Sequence, residues 1–92
     1  MLIKITVAAG YGEAEFDHGG WGCDASIQPP DATPTFDFML VNRRGDLILG
    51  AVNITDVKPK IEGRYKTSVH ANTVIIANAA DDGVYEVELH LR

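Results

Sequence analysis

Apolar and polar residues alternate with a period of two along much of this chain, the spacing of strands whose successive side chains point to opposite faces. Residues 2–8 (LIKITVA) set Ile3, Ile5 and Val7 against Lys4 and Thr6, and residues 35–42 (TFDFMLVN) set Phe36, Phe38 and Leu40 against Thr35, Asp37 and Met39. Residues 64–71 (RYKTSVHA) alternate as well. The pattern is clearest at 84–92 (VYEVELHLR), where Tyr85, Val87, Leu89 and Leu91 predict an inward face. LILGAVN (47–53) and TVIIANA (73–79) are almost continuously apolar and read as strands covered on both faces. EAEF (13–16) is a weaker strand. No segment carries a helical period.

Turn residues punctuate these runs. Arg43-Arg44-Gly45-Asp46 predicts a tight hairpin, and Asp81-Asp82-Gly83 a turn before the last strand. Pro29-Pro30-Asp31-Ala32-Thr33-Pro34 predicts a stiff connector where a ladder stops, and Lys58-Pro59-Lys60 a second break. Short strands, marked turns and no helix predict an all-β fold. It is a small antiparallel β-sandwich, jelly-roll or Ig-like, of about six to eight strands.

Length makes this one domain, 1–92, whose folding hides roughly 60–70% of the surface its unfolded chain exposes. Stability is therefore expected to be modest or shared with neighbouring subunits. A net charge of -5, with no Lys/Arg run longer than two, lacks the basic footprint of a nucleic-acid binder or of a protein docked on an anionic membrane. The single Cys cannot form an internal disulfide, which suits a cytosolic origin. MLIKITVAAG lacks the basic n-region and unbroken apolar run of a secretory signal, so the chain reads as soluble and non-secreted.

The stretch FDHGGWGCDASIQPP holds the sole Trp and the sole Cys among three glycines. Residues 17–34 read as a Gly/Pro-rich loop or arm. Trp21 is then either a lid over the sandwich or an anchor inserted into a partner. Asp17, His18, Cys23 and Asp24 can all ligate metal, but their spacing fits no zinc pattern, and neither metal nor cofactor is expected. Arg44-Gly45-Asp46 is an RGD tripeptide that a hairpin turn explains without a receptor. Asn53-Ile54-Thr55 is a glycosylation sequon on a chain read as non-secreted. His70 and His90 fall at polar strand positions and read as solvated. Arg64 and Lys66 would pair across strands with Glu86 and Glu88 if those strands are neighbours. Ser26 and Ser68 lie in no nucleophile motif, no carboxylate pair has acid–base spacing, and no phosphate loop is present, so no enzymatic activity is expected.

From Phe36 to Arg92 the cadence of FDFMLVNRRGDLILG, EGRYKTSVHA and ANAADDGVYEVELHLR resembles the small β-sandwich virion proteins of tailed bacteriophages. A second likeness, through the strand–turn–strand opening and Gly63-Arg64-Tyr65, is to the jelly-roll C-terminal domains of secreted bacterial peptidases. The first 35 residues match neither. The phage resemblance implies a structural role, that of a capsid decoration (cement) protein. It would be made in the host cytoplasm and sit on the capsid surface between major capsid protein subunits, as a homo-oligomer. The expected partner-binding residues are His18, Trp21, Cys23 and Asp24 on the arm and Arg43 and Arg44 at the hairpin tip. The alternatives are a tail accessory protein, or a carbohydrate- or ligand-binding sandwich using Trp21, Tyr11 and Tyr65.

Overall fold

In a computed structural model of the chain the alternating segments form six antiparallel strands: β1 (Leu2–Val7), β2 (Gly12–Gln28), β3 (Phe36–Val41), β4 (Leu47–Ile54), β5 (Lys60–Ala77) and β6 (Gly83–Leu91). The structure describes residues 1–31, 35–55 and 59–91, and among these not the side chains of Trp21 and residues 64–69. The connector expected over Pro29–Pro34 and the break at Lys58–Lys60 therefore lie partly outside the described residues. So do the lid-or-anchor role of Trp21 and the use of Tyr65. The expected cross-strand pairing of Arg64 and Lys66 with Glu86 and Glu88 does not occur, because β2 lies between β5 and β6.

The strands follow one another in a ladder of order β1-β6-β2-β5-β3-β4. Strands β2 and β5, 17 and 18 residues long, would each exceed about 50 Å if straight, yet the longest dimension of the molecule is 35 Å. They bend, and each serves two sheets. The first sheet contains β1, β6, the C-terminal half of β2 and the N-terminal half of β5. The second contains the N-terminal half of β2, the C-terminal half of β5, β3 and β4. The result is a β-sandwich of two four-stranded antiparallel sheets sharing their two longest strands, the all-β class the alternation predicts.

The core is the inward half of each alternating set. Phe36, Phe38 and Leu40 from β3 and Tyr85 and Val87 from β6 are fully buried, with Ile5, Val7, Ile27, Val74 and Ile76 beside them. The rings of Phe36 and Tyr85 meet edge to face, centroids 5.3 Å apart and planes at 72°, the arrangement that aromatic quadrupoles favour. The exposed surface is 5313 Å², against about 5,200 Å² expected of a compact monomer of this mass. The sandwich thus closes its core within one chain.

Three further sequence expectations differ from the fold. The arm expected from residue 17 is, as far as Gln28, the second half of β2, paired with β5 from His18 to Ser26 and with β6 from Cys23 to Gln28. Its glycines occupy the corner where the strand passes from one sheet to the other, at register shifts between Glu15 and His18 and between Gly20 and Gly22, the positions where bulges and glycines let a strand bend. The separate strands expected at 64–71 and 73–79 are one strand, β5. LILGAVN is not covered on both faces. Among the described residues β4 pairs only with β3 and is an edge strand, with Leu47 64% and Val52 71% exposed.

Candidate functional site

The residues singled out from the sequence do not converge. His18 and Cys23 face the core, 8% and 0% exposed. His18 lies across from Ala71, and Cys23 lies between Gly63 of β5 and Leu91 of β6. Neither side chain is offered to a partner, because the segment that carries them is a strand interior rather than an arm. Asp17 and Asp24 point outward, so the four residues of the metal-ligating set sit on opposite faces of β2. No group of three or more potential ligands gathers among the described residues. Asp24 is half-buried on the outer face of the first sheet, between Glu62 and His90 on the flanking strands.

Arg43 and Arg44 stand apart from these, on the exposed tip of the β3–β4 hairpin. Asn42 builds that tip. Its Oδ1 accepts the backbone N–H groups of Arg44 (2.9 Å) and Asp46 (3.0 Å), and its carbonyl accepts the N–H of Gly45 (3.0 Å). Its Nδ2 donates to the Asp46 carboxylate at 3.2 Å. This is the local bonding by which Asn holds a turn. The RGD tripeptide is thus a turn whose carboxylate is occupied by Asn42.

Beyond Val41, which still pairs with Thr73 of β5, the hairpin leaves the sheet. It opens a cleft of about 600 Å³ lined by Asn42, Arg43, Arg44 and His70. His70 is held on the far wall. It lies opposite Gly19, and its Nε2 hydrogen-bonds the Oδ1 of Asp17. The bulge in β2 between Glu15 and His18 sets where Asp17 stands. Among the described residues the ion pairs are those of the N-terminus with Glu88, Lys4 with Glu86, and His70 with Asp17; none engages Arg43 or Arg44.

Sequence reasoning reached the two arginines but not the cleft. His70 read as a solvated histidine, and its partner Asp17 is 53 residues away. Only the register of β2 on β5 brings them together.

At the other end of β3 a hollow of about 490 Å³ is lined by Ala9, Gly10, Pro30, Asp31 and the 79–82 turn. One of the three carboxylates among these described residues has a structural task. The Asp82 carboxylate accepts the N–H groups of Ala9 (3.1 Å) and Gly10 (3.0 Å), fixing the β1–β2 turn to the β5–β6 turn. No protein-family model and no curated protein matches this chain.

Proposed function

We propose that this chain is a structural protein that acts by adhering to a larger assembly, in the form the phage resemblance implies: a capsid decoration protein seated between major capsid protein subunits. The observation that carries the reading is strand β4. Among the six described strands it is the one without a charged residue, LILGAVNI. It lies at the margin of the second sheet and exposes Leu47 and Val52. Its register shifts fall toward its two ends, leaving the stretch paired with Phe38–Leu40 regular. Free-standing proteins blunt such edges with charge, proline or bulges; β4 has bulges only toward its ends, and its regular middle carries neither charge nor proline, as suits an edge covered in an assembly. Contacts made only in the assembled state stabilise it by mass action, and many copies multiply the effect.

The test is co-sedimentation of the purified chain with expanded heads of the encoding phage. Wild type is expected to pellet with heads. A Val52→Lys variant, which charges the edge without touching the core, is expected to remain in the supernatant while unfolding at the same denaturant concentration. Retention on a glycan column, with no binding to heads, would favour the ligand-binding alternative.

A further inference from the structure

The cleft at the hairpin tip has a composition out of keeping with the rest of the molecule. The chain carries a net charge of -5, yet two consecutive arginines stand exposed on one wall of this cleft with an imidazole on the other. The carboxylate nearest in sequence, Asp46, is engaged by the Asn42 amide, and that of Asp17 is engaged by His70 on the far wall. Like charges on consecutive residues repel, and an anion that both guanidinium groups could reach would relieve this.

The turn also restricts which anion. Phosphate sites are commonly cradled by backbone N–H groups of a nest or loop. Here the N–H groups of Arg44, Gly45 and Asp46 are all consumed inside the turn by Asn42. That leaves the Arg43 N–H alone among the backbone donors of the tip, too few for a nest. A ligand therefore meets mainly side-chain donors: the two guanidinium forks, which grip planar carboxylates in bidentate fashion as readily as phosphate, and the imidazole of His70. We infer that this cleft binds the carboxylates of an acidic peptide segment, with Arg43 and Arg44 as the principal contacts and His70, positioned by Asp17, as the opposite wall. The inference does not rest on the virion reading, and heads are absent from its test.

The experiment is an amide NMR titration of the whole chain at low salt, where exposed ion pairs are least screened. Three probes are used: a blocked tetraglutamate peptide, its tetraglutamine counterpart and inorganic phosphate. The glutamate peptide is expected to shift the resonances of residues 42–46 and His70. The glutamine peptide is expected to shift none of them, and phosphate is expected to bind more weakly than the glutamate peptide. In an Arg43→Gln/Arg44→Gln variant, whose dispersed spectrum shows the fold intact, affinity is expected to fall by about tenfold or more. Equal affinity in that variant, equal or tighter binding of phosphate, shifts centred elsewhere, or no shift at about 10 mM peptide would each overturn the assignment.

Discussion

The carbonyl oxygen of Thr6 lies 2.5 Å from the point where a Cβ on Gly12 would stand, and Cγ2 of Ile5 lies 2.9 Å from it. Gly12 opens β2 just after the tight turn from β1, and its missing side chain is what lets the two strands close one side of the sandwich. A backbone oxygen cannot swing away as a side chain can, so Gly12→Ala must push β1 off. The expected loss is about 2–3 kcal/mol, within the range for overpacked sites, read as a lower urea midpoint.

Gly63 in the N-terminal half of β5 is the counterpart on the other side, beneath Leu49 of edge strand β4. A Cβ there would stand 2.7 Å and 2.9 Å from the two Leu49 methyl carbons. These are the ends of a rotatable side chain, so Gly63→Ala is expected to cost less than Gly12→Ala, about 1 kcal/mol. Because the cost arises from one contact, adding Leu49→Ala is expected to remove most of the penalty. A double-mutant cycle with additive effects would contradict this contact as the cause.

Asp37 of β3 fastens β4 and the end of β5 at once. Its carboxylate accepts the Asn78 side-chain amide at 2.7 Å and the backbone N–H of Asn53 at 2.9 Å. Both asparagines sit in the left-handed region, at φ 50° and 54°, which Asn tolerates better than most residues. The Asn78 hydrogen bond first, and the Asn53 N–H second, hold the carboxyl below its ordinary value of 3.8. Because the folded value is the lower one, the stability Asp37 supplies is present above that ordinary value and is lost as pH falls through the folded one. The urea midpoint is expected to drop on acidification to below about pH 4, and to drop less in Asp37→Asn. Near neutral pH Asp37→Ala is expected to cost about 1 kcal/mol, less than is usual for charged hydrogen bonds because the site is solvent-screened.

The strands legible in the sequence are those that keep one phase throughout. In β3, Phe36, Phe38 and Leu40 alternate with Asp37 and Met39, and in β6 Tyr85, Val87 and Leu89 alternate with Glu86 and Glu88, so in and out read directly. Strand β2 changes phase. Up to Gly20 the buried positions are even-numbered, Gly12, His18 and Gly20, and from Cys23 they are odd, Cys23, Ala25 and Ile27. The change falls among glycines, which have no side chain to carry a pattern, so a bent strand looks like a loop. The apolar run of β4 is legible as a strand but not as an edge, because edge position depends on partners and not on composition. Arg43 and Arg44 are visible as a hairpin tip. The wall facing them is not, since His70 reaches Asp17 only through the offset that bulges impose on β2 and β5.

Tyr85 is fully buried against Phe36, and its hydroxyl donates to the Asp81 carbonyl at 2.8 Å. Burial first, and then the charges of Asp81, Asp82 and Asp31, raise its phenol above the ordinary value of 10.0. The folded state therefore retains the proton after the unfolded state has lost it. The stability involved is intact below the unfolded value and is lost as pH climbs through the raised one. Alkaline unfolding is expected to begin above about pH 10, with tyrosinate absorbance rising as far-UV circular dichroism is lost. Tyr85→Phe is expected to flatten this alkaline loss and to cost about 1 kcal/mol near neutral pH, since the Asp81 carbonyl loses its donor.

His18 presents the reverse case, a polar side chain whose burial brings no bond. It is 8% exposed, and its Nε2 has no hydrogen-bond partner. An imidazole nitrogen taken from water without replacement costs about 1–3 kcal/mol, and the neighbour across the ladder, Ala71, is fully buried and offers only a methyl group. Leucine has similar volume and no polar atom to strand. His18→Leu is therefore expected to leave stability unchanged or raise it by up to about 2 kcal/mol, as measured by urea denaturation. His18→Asp, which buries a carboxylate at the same point, is expected to destabilise by more than about 2 kcal/mol. A loss of about 1 kcal/mol or more in His18→Leu would mean that the imidazole is bonded in solution, and that this histidine is held in the core for a reason other than filling it.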